Sequence, residues 1–159
     1  MTKKTLFFLM VLAMPCLSVA GQDIIRVEQT KYFDKNHNLY NGAYTEYYEN
    51  GHKRLEMKLK NGEQDSVTVL YFENGQINET RSYKDGLMDG RWEVFDESGN
   101  KLSEAFYKNN KKDGCWRIWN AKGVLLFEMH YKDGVKCGDW KTFNEDGTVK
   151  SQRSYEACL

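Results

Sequence analysis

The stretch Asp113–Gly134 reads DGCWRIWNAKGVLLFEMHYKDG and has the pattern strand, tight turn, strand, tight turn. Lys122-Gly123 and Asp133-Gly134 are turn dipeptides, because glycine enters positive φ without a Cβ clash. After the first turn, apolar residues recur with period two, at Leu125, Phe127, Met129 and Tyr131. Such spacing places side chains on one face of a strand. Aromatic and aliphatic residues between glycine-containing turns therefore predict a β-hairpin.

The same pattern recurs along most of the chain with a step of 24 residues. One turn glycine recurs as Gly51, Gly75, Gly99, Gly123 and Gly147. One aromatic position is occupied by Tyr44, Trp92, Trp116 and Trp140. A second is occupied by Tyr47, Tyr71, Phe95, Trp119 and Phe143, and a third by Tyr83, Tyr107, Tyr131 and Tyr155. A period of this length is typical of a solenoid or an array.

We therefore predict an all-β fold, an elongated single-layer antiparallel β-meander built from five 24-residue hairpin repeats over residues 41–159. Hairpin turns are expected near residues 50, 74, 98, 122 and 146. Each hairpin needs its neighbours, because an isolated hairpin is marginally stable in water. Residues 21–40 are interpreted as a degenerate lead-in unit that covers the first sheet edge, since an exposed edge invites pairing with other chains.

The repeat motif resembles the variant MORN repeat. Its clearest matches are Asp89-Gly90-Arg91-Trp92, Asp113-Gly114-Cys115-Trp116, Tyr83-Lys84-Asp85-Gly86 and Tyr131-Lys132-Asp133-Gly134. The resemblance implies an elongated, twisted, single-layer antiparallel sheet. Bacterial proteins with such repeats are often labelled antitoxin components of toxin–antitoxin systems. Eukaryotic members are described as membrane-associated scaffolds, with lipid binding proposed for some.

Residues 1–20 have the features of a secretory signal peptide. Lys3 and Lys4 form a basic start, an apolar run follows, and Ser18-Val19-Ala20 offers small residues to a signal peptidase after Ala20 or Gly21. The apolar run is too short for a membrane anchor. The residues before Cys16 fit a lipobox poorly, so a lipoprotein is not expected. The predicted location is periplasmic or secreted.

The charge distribution does not indicate nucleic-acid binding. Removal of residues 1–20 leaves 21 basic and 23 acidic residues, a formal charge of −2. Both signs are mixed along the chain, with no basic stripe and no acidic tail.

The sequence gives little indication of catalysis, and neither a metal nor a cofactor is expected. His37, His52 and His130 occupy different repeat positions, and no pair has metal-ligand spacing. Glycines recur at turns and need no phosphate-binding role. Carboxylates recur in one repeat position, at Glu56, Glu104 and Glu128. We interpret them as a solvated ladder paired with lysines such as Lys58 and Lys108.

The recurring aromatic residues form the one candidate binding surface. Its predicted members are Tyr44, Trp92, Trp116, Trp119 and Trp140. A single-layer sheet cannot bury both faces by itself, so aromatic surface is available to a protein, a glycan or a membrane surface. The alternative is that the rings only stack along the sheet and stabilise it. Trp116 and Trp119 are three residues apart, so either both faces carry aromatics or a bulge intervenes.

Three cysteines remain after signal removal, and a disulfide between Cys137 and Cys158 is predicted. The strands beside the Asp146-Gly147 turn should pair so that Phe143 faces Val149 and Lys141 faces Ser151. Cys158 then reaches Cys137 if the tail folds back. A Cys115–Cys137 bond would span two strand spacings, about 9–10 Å, which is too far without distortion. Three free thiols remain the alternative.

These features predict an exported, non-enzymatic repeat protein that acts as a protein-interaction or scaffold module in the cell envelope. The expected partner is an envelope protein, with peripheral membrane contact as an open alternative and no nucleic acid. One rival is an antitoxin or immunity-type protein that neutralises a dedicated toxin. Export speaks against a cytoplasmic toxin partner. A second rival is an enzyme that acts on envelope glycans.

Overall fold

A computed structural model describes the backbone of residues 24–28 and all atoms of residues 31–159. The predicted signal peptide lies outside the described residues, as do residues 21–23 and 29–30 of the predicted lead-in unit. The described ranges contain strands and turns and no helix. Accordingly, none of these residues belongs to a helix with the length and apolar character needed to cross a membrane.

In the described residues fourteen strands form two sheets, and every strand pairing is antiparallel. A two-stranded sheet contains β1 (Ile24–Glu28) and β2 (Lys31–Asp34). The large sheet contains β3 (Gly42–Tyr47), β4 (Lys53–Lys60), β5 (Glu63–Gln64), β6 (Ser66–Tyr71), β7 (Ile77–Lys84), β8 (Leu87–Phe95), β9 (Lys101–Lys108), β10 (Lys111–Lys112), β11 (Gly114–Trp119), β12 (Leu125–Lys132), β13 (Val135–Phe143) and β14 (Val149–Ser154). The predicted all-β meander of five hairpin repeats is confirmed.

Two kinds of turn alternate along the meander. The turn within each repeat closes at a glycine with positive φ, as at Gly123, whose N–H donates to the carbonyl of Asn120 at 2.9 Å. The turn between repeats is a two-residue type I′ turn, as at Asp133-Gly134, with φ of +48° and +87°. The turns within the repeats lie at the predicted positions, near residues 50, 74, 98, 122 and 146.

In the repeats that contain Trp92 and Trp140, the pairing register between strands shifts just before the tryptophan, so a bulge lies there. Arg81 faces Trp92 and Tyr83 faces Met88, so Ser82 alone lies opposite residues 89–91. Gly90 at this bulge has a φ of +106°, and a Cβ placed on it would lie 2.9 Å from the Cβ of Ser82. Glycine is therefore favoured for both conformation and space.

A second kind of bulge follows the turn within a repeat, and because of it two residues differ from their predicted positions. In the last hairpin Phe143 faces Val149 as predicted, but Lys141 faces Gln152 and not Ser151. One extra residue in β14 shifts the register between these pairs. The equivalent shift in β12 places Leu125 opposite Trp119. Leu125 therefore leaves the face that it was predicted to share with Phe127.

The sheet buries very few side chains, because a single layer has no second layer to pack against. The buried apolar residues of the described chain are Met57, Leu59, Tyr131 and Cys137. Met57 and Leu59 lie near the first edge of the large sheet. There the Tyr32 N–H donates to the Gly62 carbonyl at 2.8 Å, which ties β2 to the turn after β4. Most other apolar side chains remain half-buried or exposed on one of the two faces.

Candidate binding surface on one face of the sheet

Six aromatic rings form a continuous row across repeats three to five, which we call the aromatic ladder. Tryptophans and tyrosines alternate in the order Trp92, Tyr107, Trp116, Tyr131, Trp140 and Tyr155. Neighbouring ring centroids lie 5.1–5.3 Å apart with tilted planes. Aromatic pairs favour this spacing and tilt. The face of the sheet that carries these rings is called the ladder face below.

The indole N–H groups anchor the ladder to the sheet. Trp116 Nε1 donates to the Phe106 carbonyl at 3.1 Å, and Trp140 Nε1 donates to the His130 carbonyl at 3.0 Å. Trp92 Nε1 instead donates to the carboxylate of Glu79. Each indole thus has a hydrogen-bond acceptor on the neighbouring strand, which fixes the orientation of its ring.

Cationic side chains lie over the rings of the ladder. Lys112 Nζ lies 4.1 Å from the centroid of Trp116 and 4.9 Å from that of Tyr131. Lys136 Nζ lies 4.4 Å from the centroid of Trp140. These distances are those of cation–π contacts. Two arginines complete the row, Arg81 over Trp92 and Arg153 over Tyr155.

The structure places the five predicted aromatic residues in three different settings. Trp92, Trp116 and Trp140 belong to the aromatic ladder. Tyr44 lies in the first repeat, where its ring contacts Tyr32 at 6.3 Å. Trp119 lies on the opposite face from Trp116, because β11 is continuous between them and the bulge is in β12. Both faces therefore carry aromatic residues.

The lysines and the tyrosines of the ladder were missing from the predicted surface. Lys112 and Lys136 are 24 residues apart, so they occupy one repeat position and the periodicity contains their signal. Their position over the rings depends on the pairing of Lys112 with Tyr107 and of Lys136 with Tyr131. That pairing follows only once the two-residue turns between repeats are recognised.

The opposite face carries a network of ion pairs, and the predicted lysine partners were wrong. Glu56 Oε1 lies 2.7 Å from Lys53 Nζ, and not beside Lys58. Glu104 Oε2 lies 3.2 Å from Lys101 Nζ, and not beside Lys108. The i,i+3 partner is reached because the bulge turns both side chains to the same face.

The third carboxylate of this repeat position pairs with arginine. The Glu128 Oε2 atom accepts a hydrogen bond from Arg117 Nε at 2.9 Å. Arg117 Nη1 also lies 3.8 Å from Glu104 Oε1, so one guanidinium joins two repeats. These carboxylates are engaged by cations on the opposite face.

Two of the three cysteines outside the predicted signal peptide are bonded in the structure. Cys137 and Cys158 form a disulfide with Cα atoms 5.1 Å apart, within the range that this bond requires. Cys115 is a free, half-buried thiol, and burial raises its pKa. A thiol with a raised pKa is less reactive at neutral pH. Within residues 31–159, no group of three or more His, Cys, Asp or Glu residues is arranged to hold a metal ion.

Comparison with known proteins defines the class of this open repeat sheet. The family described as MORN repeat variant matches the chain five times, at residues 40–61, 64–85, 88–109, 112–133 and 136–157. The chain belongs to the MORN repeat variant family.

No curated protein matches the chain. Among solved structures, it is similar to a chain in the crystal structure of accessory secretory protein 1, 2 and 3 in Streptococcus pneumoniae. Sequence identity is 16%, the match covers 76% of this chain and 23% of that chain, and the TM-score is 0.37. This chain thus spans about a quarter of the length of that protein's chain, and a likeness at this level carries no argument about function.

Proposed function

We propose that this MORN repeat protein is an exported, non-enzymatic interaction or scaffold module of the cell envelope. The observation that carries the proposal is the open sheet itself. Ile118 and Phe127 are 37% and 40% exposed beside the aromatic ladder, and Val135 is 67% exposed. A contact surface in a soluble protein is commonly formed by such apolar and aromatic residues with a polar surround.

Two further features support the proposal. The Cys137–Cys158 bond suits an oxidising compartment, which export provides. The recurring carboxylates Glu56, Glu104 and Glu128 form ion pairs with neighbouring cations, as structural carboxylates do. A repeat array with an extended surface suits the binding of envelope components, including the envelope protein expected as a partner.

Fractionation of cells that make the protein tests this function. We expect a chain that begins at Gly21 or Gln22 by mass spectrometry and that sediments with envelopes. Ile118→Glu on the ladder face should release the chain from the envelopes, because a charge replaces an exposed apolar contact. Lys122→Glu, in an exposed turn, is the matched control and should leave sedimentation unchanged. A chain with Met1 in the cytosol, or equal sedimentation of the native chain and the Ile118→Glu and Lys122→Glu variants, would contradict the proposal.

A further inference from the structure

Three of the four cations that lie over the ladder rings, Lys112, Lys136 and Arg153, have no acidic partner among residues 31–159. None of the ion pairs among residues 31–159 involves Lys112, Lys136 or Arg153. Their contacts are with aromatic rings, which attract a cation without neutralising it. Arg81 differs, because its Nη2 atom lies 2.6 Å from Glu79 Oε2.

The carboxylates in the strands of repeats three to five are directed elsewhere. Glu93 and Glu104 pair with Lys101, and Glu128 pairs with Arg117, all on the opposite face. Asp139 Oδ1 accepts a hydrogen bond from the Ser154 hydroxyl at 2.7 Å. One face of these repeats is thus aromatic and cationic, whereas the other carries a balanced ionic network. Charge complementarity then favours an anionic ligand for the ladder face.

The cations are also periodic. Lys112 and Lys136 occupy the same position in successive repeats, with β12 between their strands. Two strand spacings separate them by about 9–10 Å along the sheet. A disaccharide in an extended polysaccharide spans a similar length. One lysine and one pair of rings per repeat therefore match a linear glycan that carries one anionic group per disaccharide.

The ladder face also offers apolar surface for sugar rings. Ile118 and Phe127 face each other across β11 and β12 and are both exposed. The C–H faces of pyranose rings pack well against apolar side chains of this kind. A large antiparallel sheet twists, so a flexible linear chain can follow this row over several repeats, whereas a flat membrane contacts only part of it.

We propose that the ladder face of repeats three to five binds a linear acidic polysaccharide with one carboxylate or sulfate per disaccharide. The proposal rests on the proposed function in that it names one class of envelope partner. Binding to the purified chain does not depend on export or on a protein partner. If the purified protein fails to bind the glycan while envelope association persists, this inference fails and the proposed function stands.

Titration calorimetry with hyaluronan decasaccharide, which has one carboxylate per disaccharide, tests the proposal. An uncharged chito-oligosaccharide of equal length and vesicles containing phosphatidylglycerol are the comparison ligands. We expect hyaluronan to bind, the uncharged oligosaccharide to bind far more weakly, and the affinity for hyaluronan to fall with added salt. The double variant K112Q/K136Q should weaken hyaluronan binding by about tenfold or more, because two charge-assisted contacts are lost.

The double variant K108Q/K122Q is the matched control, because it removes the same charge from lysines that lie outside the row of cations. It should bind hyaluronan like the native chain. Equal effects of the two double variants, or absence of hyaluronan binding, would overturn the proposal. Tighter binding to the vesicles that depends on Lys112 and Lys136 would also overturn it, since the occupant would then be a membrane.

Discussion

The carboxylate of Asp113 accepts a hydrogen bond from the backbone N–H of Asp133, 20 residues later, at 3.2 Å. The first residue of each turn between repeats is held in this way by the repeat before it. The equivalent pairs are Asn41 with Asn61, Asp65 with Asp85, and Asp89 with Asn109. The acidic or amide residue at the start of each of these repeats therefore holds the turn at the end of the same repeat.

In the last repeat, Cys137 occupies the position of Asp113 and forms a disulfide with Cys158. A covalent bond to the C-terminal tail thus takes the place of the hydrogen bond made from this position in the earlier repeats. Backbone hydrogen bonds in both directions also join the tail to Gly138, whose N–H donates to the Glu156 carbonyl at 2.8 Å.

Asp113→Ala should lower the free energy of unfolding by about 1–2 kcal/mol, because the Asp133 N–H loses its acceptor. Asp113→Asn keeps a side-chain oxygen, as Asn41 does in the first repeat, and should retain most of this stability. Urea denaturation followed by circular dichroism measures both variants. If the alanine and asparagine variants were equally stable, the hydrogen bond from the Asp133 N–H to the Asp113 side chain would not contribute to stability.

Loss of the Cys137–Cys158 bond should destabilise the chain by about 3 kcal/mol, since the bond closes a loop of some twenty residues. Cys158→Ser is the test variant, and Cys115→Ser, which removes the free thiol, is its control. Non-reducing peptide mapping of the native protein should yield one peptide pair containing Cys137 and Cys158. A crosslink through Cys115, or labelling of all three thiols, would refute the pairing.

Trp116→Ala should lower the free energy of unfolding by about 3 kcal/mol, near the low end for a large aromatic because the ring is half-buried. The change removes ring contacts to Tyr107 and Tyr131 and the hydrogen bond to the Phe106 carbonyl. Trp116→Phe keeps a ring and should lose less. Thermal and urea unfolding measure the change, and a loss below about 1 kcal/mol would show that the ladder does not stabilise the sheet.

The sequence period was sufficient for the fold, since glycines and aromatics kept in phase fix both the turns and the strand order. The pairing register within each hairpin was harder to predict from the sequence. A bulge adds one residue to a strand without changing the 24-residue repeat spacing, as the pairing of Lys141 with Gln152 shows. The three-residue separation of Trp116 and Trp119 left open that their rings lie on different faces, and in the structure they do. The partners of Glu56 and Glu104 could not be inferred, because they depend on how each bulge directs a lysine.

Stability should fall in acid through Glu56, whose pKa is held below its usual value of 4.5 by hydrogen bonds from Lys53 and then Tyr71. A lowered folded-state pKa means that the unfolded chain takes up the proton first. The stabilisation is therefore present above pH 4.5 and is lost as the pH falls through the lowered pKa. Carbon-13 NMR titration should show the low pKa in the native chain and a higher one in Lys53→Gln. An unchanged pKa in that variant would exclude the lysine as its main cause.

The ladder face is the surface through which we propose that this repeat protein contacts the envelope. Photo-crosslinking in intact cells measures this contact, with a photoreactive amino acid at Ile118 on the ladder face or at Lys122 in the neighbouring turn. Both positions are exposed and lie in the same repeat. We predict adducts with envelope components from position 118 and far fewer from position 122. Equal yields from the two positions, or adducts from position 122 alone, would show that the ladder face is not the contact surface.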